Sequence, residues 1–322
     1  MFAKKLVAAG LAIFVSLGLT ACDPPMPPEI LAAEAEKVVT CVDGDLTVAT
    51  PTAIADVIDS WSSSISDACT GMSLTALASG DETAQAVISM GGDIAPACKP
   101  FATFPIAVDA GVVAFVLTDA PSLTLSAANV QDIFSGKIKN WSDPTLASSN
   151  PDAVLPDLPI NIVGSPQQSV IDSLTTWFKK LGTTFSPSLA KVSPSDDGAF
   201  LATMAEGDIA LTSYSNALFS YSTVAAITVG DSYAVADTLG VQNGADESYK
   251  PAQGDFPGYG ATYSVNLALC GADNQLARTV ARYLVRQDAQ GALGSAVIAP
   301  LPNSLRVTTI GEIEKGLPKA SN

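Results

Sequence analysis

Histidine is absent from the sequence, and its absence excludes several classes of function. Neutral imidazole is the commonest metal ligand in proteins and the usual general base beside a nucleophilic Ser or Cys. The sequence therefore argues against a Ser-His-Asp or Cys-His enzyme and against most transition-metal sites. We expect neither a metal nor a cofactor.

Positive charge is also scarce. The 16 Lys and Arg residues oppose 32 Asp and Glu residues, which gives a formal charge of -16 at pH 7. Nucleic acids and anionic membrane surfaces are recognised by clustered Lys and Arg, so neither is an expected partner. The arginines lie in the last fifth of the chain, at Arg278, Arg282, Arg286 and Arg306. An Arg clamp on an anion must come from that region or not exist.

Long apolar runs are absent beyond the N-terminus, where Leu6 to Ala21 is uncharged and apolar. Lys4 and Lys5 precede this stretch, and Cys22 follows it directly after Leu-Thr-Ala. A basic start, a short apolar stretch and small residues before a cleavage point are typical of a secretory signal. We therefore expect residues 1–21 to be removed on export.

The position of Cys22 resembles the lipobox of bacterial lipoproteins, in which the thiol is acylated and becomes the new N-terminus. This resemblance implies a palmitate-type lipid anchor at Cys22, with the protein on the extracytoplasmic face of the cell membrane. Residues 22–37 are predicted to form a tether, because the prolines between Asp23 and Pro28 favour a stiff, extended chain. A plain signal peptide with a chance cysteine is the alternative.

Four cysteines remain after Cys22, at Cys41, Cys69, Cys98 and Cys270. An even number in an exported protein favours two disulfides, with three possible pairings. Cys41 and Cys69 each precede a strand-like segment, so parallel neighbouring strands would place both thiols at one sheet edge. We favour Cys41–Cys69 and Cys98–Cys270, and free buried thiols are the alternative.

The first part of the chain alternates strand and helix patterns. Leu46–Thr50 is strand-like, and Thr50 with Pro51 is a good start for a helix that runs through Trp61. Met72–Leu77 predicts a second strand. The turn Ser79-Gly80-Asp81 then predicts another helix carrying Val87 and Ile88. This alternation is the signature of a parallel sheet in an α/β domain.

The rest of the chain predicts a second α/β lobe. Ile106–Leu117 is rich in β-formers and interrupted at Asp109-Ala-Gly111, as expected for a crossing between lobes. Helices are predicted from Ser126 to Gly136, from Val170 to Leu181, and from Asp273 to Leu293. The row Arg278, Arg282 and Arg286 in the last helix is interpreted as a solvated face. We predict lobe I over residues 38–106 and 260–322 and lobe II over 107–259, with a ligand cleft between them.

One segment carries a family resemblance: Ile133-Phe-Ser-Gly-Lys-Ile-Lys-Asn-Trp-Ser-Asp-Pro144. It resembles the second lobe of phosphate-binding proteins, the substrate receptors of high-affinity phosphate ABC transporters. Shorter similarities, which together extend the resemblance over roughly residues 44–312, are Phe104–Ala107, Asn150–Pro151, Leu155–Ile160 and Ala299–Pro302. The resemblance implies a type II periplasmic-binding fold, phosphate binding and transport, an ABC permease as partner, and no enzymatic activity.

The same resemblance implies a set of candidate ligand residues at the starts of helices in both lobes. Thr50 and Thr52 correspond to a hydroxyl-bearing helix start, and Ser79 to a Gly-Ser-Gly loop. Lys99 could supply charge beside that site. The candidates in the second lobe are Ser165, Gln167 and Ser169.

The match at the ligand site is incomplete. The family's Ser-Asp pair corresponds to about Ala97-Cys98, and its Arg-x-Asp-x-Ser-Gly-Thr motif corresponds to residues 165–171, where only Ser169 is retained. Backbone N–H groups at helix starts can still bind an anion without a charged side chain. Asp81 and Glu82, in the first turn of the predicted helix, would repel one.

Three alternatives to a phosphate receptor follow from this incomplete match. Ser165, Gln167, Gln168 and Ser169 could donate hydrogen bonds to a neutral or weakly acidic solute instead. The second alternative is a diverged paralogue that binds no solute and acts as a surface interaction or sensory lipoprotein. A hydrolase using Ser135 with Lys137 or Lys139 is the third, although these residues lie inside the family's structural motif.

Overall fold

A computed structural model of the protein describes residue 36, residues 39–91, 98–193 and 198–291, residue 293, and residues 298–317. The predicted signal peptide, Cys22 and the tether other than Glu36 lie outside the described residues. Within the described ranges, no helix has both the length and the apolar character that crossing a bilayer requires.

Among the described residues, ten strands form two sheets. They are β1 (Gly44–Thr50), β2 (Met72–Ala78), β3 (Ala86–Met90), β4 (Pro100–Phe115), β5 (Thr124–Leu125), β6 (Asn161–Ile162), β7 (Asp208–Ser213), β8 (Ala226–Val229), β9 (Ser232–Ala234) and β10 (Thr262–Cys270). The larger sheet has seven strands in the order β2-β1-β3-β10-β4-β7-β6, and the smaller has the order β5-β8-β9. β1 pairs parallel with β2 and β3, whereas β10 is antiparallel to both β3 and β4.

The helices lie between these strands in the sequence. They are α1 (Ala55–Ala68), α2 (Ala127–Phe134), α3 (Pro144–Ser149), α4 (Gln168–Lys180), α5 (Tyr214–Phe219), α6 (Thr238–Ala245), α7 (Gln275–Leu284), α8 (Gln287–Gly291) and α9 (Asn303–Glu314). Short 3-10 turns occupy Thr52–Ile54 and Ala199–Thr203. The predicted α/β class is confirmed.

The long strand β4 joins the two halves of the larger sheet. Through Ala110 it pairs with β10, and from Gly111 onward it pairs with β7. A Cβ on Gly111 would lie 2.7 Å from the carbonyl oxygen of Val170, so glycine lets α4 pack directly on this point of the strand. We call this part of the sheet, where β4 changes neighbour, the crossing. The lobe boundaries at residues 107 and 260 remain a proposal.

The segment around Val87 is a strand, and the prediction of a helix there is wrong. All five residues of β3 are buried between β1 and β10. A short apolar run does not distinguish a buried strand from a helix by periodicity, and β-branched Val and Ile favour the strand. Asp81 instead closes a turn, since its carboxylate accepts from the N–H of Thr83 at 2.8 Å and from its hydroxyl at 2.6 Å. These bonds lower the pKa of Asp81.

The first helix begins later than predicted. Thr50 is the last residue of β1 rather than an N-cap, and the chain stays extended at Pro51, whose ψ is 146°. The 3-10 turn Thr52–Ile54 follows, and α1 begins only at Ala55. Trp61, on the buried face of α1, donates from its indole nitrogen to the carbonyl of Ala289 at 3.0 Å.

The arginine row is buried, contrary to the prediction of a solvated face. Arg282 and Arg286 are only 7% and 6% exposed. The guanidinium of Arg282 lies 2.9 Å from Glu314, and that of Arg286 lies 2.6 Å from Asp288. Their aliphatic stems pack among neighbours while the charged ends reach partners at the surface. The predicted single helix is also interrupted, because the N–H of Arg286 bonds the carbonyl of Tyr283 in a tightened turn between α7 and α8.

The cysteine pairing is the favoured one. Cys41 is bonded to Cys69 and Cys98 to Cys270. The first bond closes a separation of 28 residues beside the starts of β1 and β2. The second spans 172 residues and joins the start of β4 to the end of β10.

The N-terminus of α2 is at Ser126, where the sequence predicts the helix to begin, and it carries a capping box. The Ser126 hydroxyl accepts from the N–H of Asn129 at 3.0 Å, and the Asn129 side chain accepts from the N–H of Ser126 at 3.0 Å. We expect Ser126→Ala to lower the free energy of unfolding by about 1 kcal/mol, because the N–H of Asn129 loses its acceptor. Urea unfolding measures this. Ser148→Ala, which removes a hydroxyl near the end of α3, is the control and should have a smaller effect.

Candidate functional site

Five polar residues meet at the crossing: Asp109, Ser169, Ser213, Ser215 and Tyr263. We call them the crossing cluster. Asp109 is its centre and is fully buried. One oxygen of its carboxylate accepts from the N–H groups of Ala110 at 2.8 Å and Ser215 at 3.0 Å. The other oxygen accepts from the hydroxyl of Ser215 at 2.7 Å and from that of Tyr263 at 3.2 Å.

The local fold explains why these side chains meet. Tyr263 is the cross-strand neighbour of Asp109 in the β4–β10 pair. Ser213 ends β7 and caps α5 by accepting from the N–H of Asn216 at 3.1 Å. The hydroxyls of Ser213 and Ser215 are 3.0 Å apart. The end of β7, the start of α5 and the two central strands therefore share one hydrogen-bonded network.

Ser169 hydrogen-bonds the side chain of Tyr263 and so links this network to the end of β3. It is the second residue of α4, and its hydroxyl donates to the carbonyl of Met90 at 3.1 Å. Gly91 follows with a φ of +67°, and a Cβ at this position would overlap the ring of Tyr263 and lie 3.0 Å from the Cβ of Ser169. Glycine is needed here both for its left-handed backbone and for this close approach.

The electrostatics of the cluster are dominated by one uncompensated carboxylate. Burial raises the pKa of Asp109, although the bonds from Ser215, Ala110 and Tyr263 oppose the rise. The pKa of Tyr263 is raised well above its usual value, chiefly by burial and then by the nearby charge of Asp109. The ion pairs formed within the described ranges do not include Asp109.

The start of the first helix approaches the crossing from the other side. The turn Thr52–Ile54 contacts α5. Thr50, just before it, is 4% exposed, and its hydroxyl is buried without a hydrogen-bond partner. Thr52 is exposed. The predicted residues Thr50 and Thr52 therefore lie where β1 ends beside the second half of the molecule.

The other predicted residues of the second half precede α4. Ser165 and Gln167 are half-buried in the segment between β6 and α4. Gln167, not Ser169, is the N-cap residue of α4. Ser169 lies inside the first turn of α4 and donates its hydroxyl to the carbonyl of Met90 instead of capping the helix.

Ser79 and Lys99 lie away from the cluster. Ser79 is exposed and follows the end of β2. β2 is the outermost strand of the larger sheet and lies roughly 19 Å from β4 at the usual spacing between strands. Lys99 is exposed beside Cys98, and its carbonyl accepts from the N–H of Gly271 beyond the end of β10. The pairing of β10 with β3 and β4 places this end of β10 roughly 17 Å from Met90, measured along the strands.

That register also bears on the Ser-Asp pair of the family, which the sequence matched to about Ala97-Cys98. Cys98 lies in the disulfide at the far end of the sheet, not beside Met90. Its place in the fold therefore does not suit a ligand at the crossing. Ala97 is outside the described residues.

All four arginines are committed to carboxylates away from the crossing. Besides the pairs already described, Arg278 binds Asp273 at 2.7 Å and Arg306 pairs with Glu36. An Arg clamp at the crossing is therefore excluded. In the part of the chain that the structure describes, no group of three or more Cys, Asp or Glu side chains is arranged to hold a metal ion.

A groove of about 650 Å³ lies elsewhere, between the first residues of β4, α7 and α9. It is lined by Phe104, Arg278 and Lys315, among others. Its two cations are already paired with Asp273 and Glu312. We assign the functional site to the crossing rather than to this groove, because only the crossing brings polar groups of both halves together.

Two α/β halves joined at the crossing, with polar side chains between them, are typical of the fold of two-lobed binding proteins. The chain belongs to the PBP superfamily, whose domain model matches residues 35–288.

Curated relatives are phosphate-binding proteins of mycobacteria. The chain is 27% identical over 219 residues to phosphate-binding protein PstS 3 of Mycobacterium leprae, an alignment that covers 58% of each chain. It is 25% identical over 242 residues to PstS 3 of Mycobacterium tuberculosis, with 65% of each chain covered. The chain thus spans about three fifths of the length of these relatives.

Solved structures share the fold. A human phosphate binding apolipoprotein superposes with a TM-score of 0.58 at 16% identity, covering 86% of this chain and 96% of that one. A high affinity periplasmic phosphate-binding protein, PfluDING, gives 0.56 at 13% identity and covers 87% and 100%. At these identities the likeness extends to the fold alone.

Proposed function

We propose that this protein is the extracytoplasmic substrate receptor of an ABC importer, and that its solute is phosphate. The observation that carries the proposal is the crossing cluster, where hydroxyl groups from both halves of a PBP-superfamily fold meet. Ser169 of α4 and the Thr50–Thr52 segment approach the crossing from opposite sides. Helix starts of this kind present unpaired backbone N–H groups to an anion. The names of the mycobacterial relatives support phosphate as the solute.

The partner would be the membrane-embedded permease, to which the closed receptor presents its solute. The sequence around Cys22 supports a lipid anchor that keeps the receptor at the membrane surface. Glu36, near the end of the proposed tether, pairs with Arg306 of α9. The body of the receptor would therefore be joined to its tether beside α9.

Ser169 is the residue whose loss should weaken binding most clearly. Its hydroxyl bonds the end of β3 from the start of α4, so it holds the two halves together around the proposed site. We expect Ser169→Ala to weaken phosphate binding by roughly tenfold, the value of one hydrogen bond of about 1.4 kcal/mol. Isothermal titration measures the change.

Ser173→Ala is the matched control for this variant. Ser173 is one turn further along α4, equally buried, and its hydroxyl donates to the carbonyl of Val170 in the same helix. Arg282→Ala, far from the crossing, is a second control. An effect at Ser173 or Arg282 as large as that at Ser169 would contradict the site assignment.

A second candidate function is a receptor-like lipoprotein that binds no phosphate and acts in surface interactions or sensing. It is favoured by the electrostatics of the crossing, where Asp109 is buried without a cation and every arginine is paired elsewhere. A neutral solute held by Ser165, Gln167 and Ser169 is a related possibility.

Thermal unfolding across a panel of small solutes separates these functions. A ligand that binds only the folded state must raise the unfolding temperature, by an amount that grows with the logarithm of its concentration over its Kd. Stabilisation by phosphate supports the proposed receptor, and stabilisation by an uncharged solute supports the related one. No stabilisation by any solute of the panel favours the interaction protein.

A further inference from the structure

The strongest feature of the crossing that the proposed function does not use is the Asp109 carboxylate. It is fully buried, lies in the network that also includes Ser169, and has no ion-pair partner among the described residues. A buried carboxylate without a cation is costly unless several donors surround it. The groups that donate hydrogen bonds to Asp109 are the ones that a solute at the crossing would otherwise use.

Four donors point at this carboxylate. The N–H and the hydroxyl of Ser215 occupy both oxygens, at 3.0 and 2.7 Å, and the hydroxyl of Tyr263 adds a third bond at 3.2 Å. The N–H of Ala110 completes the set at 2.8 Å. Because a hydroxyl or N–H proton serves one acceptor well, these groups are not available to a solute while Asp109 is ionised.

We propose that Asp109 is a resident anion of the crossing, and that its charge lowers the affinity of the site for phosphate, most of all for the doubly charged form. This inference rests on the proposed function, since it concerns the solute of the same site. Asp109 takes the donors contributed by Ser215 and Tyr263, and its charge opposes a second anion in the same low-dielectric space. The donors left for a solute are those at the start of α4 and at Thr50–Thr52.

The charge argument distinguishes Asp109 from an ordinary structural hydrogen-bond acceptor. The nearest titratable groups facing it are Tyr263 and, more remotely, Tyr214, both of which are neutral at physiological pH. Neither can offset a negative charge. A solute with two negative charges is therefore held less tightly than the number of hydroxyls at the crossing would suggest.

The test is isothermal titration of inorganic phosphate at pH 7.5 and low salt into the wild type and the Asp109→Asn variant. Asn keeps an oxygen for the two N–H donors and removes the charge. We expect Asp109→Asn to bind phosphate at least about tenfold more tightly than the wild type, the size expected when one unit charge near the anion is removed at an effective dielectric of about 20.

Asp208→Asn is the matched control. Asp208 is also a buried aspartate, but it lies at the opposite end of β7 and its carboxylate accepts from the N–H of Ala205. Circular dichroism and thermal unfolding establish that each variant is folded. If Asp109→Asn does not fold, Asp109→Ser supplies a smaller uncharged acceptor for the same comparison.

The outcomes separate this inference from the proposed function. Phosphate binding by the wild type that becomes tighter in Asp109→Asn and is unchanged in Asp208→Asn supports the inference. Wild-type binding that Asp109→Asn leaves equal or weakens overturns the inference and leaves the receptor function intact. Folded proteins of which neither binds phosphate overturn both.

Discussion

Replacing Cys98 and Cys270 together by alanine is expected to lower the free energy of unfolding by about 5 kcal/mol. The disulfide closes a separation of 172 residues, and the loss of such a cross-link releases a large loop entropy in the unfolded chain. It also joins the start of β4 to the end of β10, the two strands that pass through the crossing. Urea unfolding of oxidised protein measures the change.

The double variant of Cys41 and Cys69 is the control for loop length. Its disulfide closes only 28 residues, so the same relation predicts a loss of about 3.5 kcal/mol. A smaller loss for the Cys98–Cys270 pair than for this one would mean that native-state contacts, rather than chain entropy, decide the stabilisation.

Asp109→Ala is expected to cost about 3 kcal/mol or more. The substitution leaves the N–H groups of Ala110 and Ser215 buried without an acceptor, and each such group costs about 1–3 kcal/mol. The hydroxyls of Ser215 and Tyr263 lose the same partner. Urea unfolding at neutral pH measures the loss, with Asp208→Ala as the comparison. A cost no larger than that of Asp208→Ala would contradict the central role given to Asp109.

The pH dependence of this stability has a definite sign. Because burial raises the pKa of Asp109 in the folded state, its protonated form is favoured by folding. Compared with Asn, Asp109 stabilises the folded state below its pKa in the unfolded chain, which is about 3.9. This stabilisation is lost as the pH rises through the pKa that Asp109 has in the folded state. Asp109→Asn should therefore gain stability relative to the wild type as the pH is raised from 4. A constant difference would show that the folded pKa is not raised.

Much of the fold could be predicted from local patterns. The alternation of strands and helices indicated the α/β class, and Ser126 marked the start of α2. The pairing of Cys41 with Cys69 followed from two strands expected to lie side by side. Each of these depends on residues close in sequence or on one neighbouring strand.

The error at β3 shows where local patterns are insufficient. Ala86–Met90 is five buried residues between two strands, and its partner β10 lies far away in the sequence.

The crossing cluster could not be assembled from the sequence, because its members are spread over five segments. Asp109 was noted only as an interruption in a β-rich run, and nothing local connects it with Tyr263 or Ser215. The register of β4 against β10 brings Tyr263 beside it, and the turn into α5 brings Ser215. A single aspartate inside a long apolar strand was the available signal, since such a residue needs partners to be buried.

The measurement that tests the central claim most directly is isothermal titration of phosphate into the soluble chain that begins after Cys22, at low salt. The account predicts saturable binding with one phosphate per chain, weakened by Ser169→Ala and unchanged by Ser173→Ala. If the titration of phosphate gives no heat, and phosphate does not compete with any other solute for binding, the protein is not a phosphate receptor. The chain would then be a PBP-superfamily fold with another role.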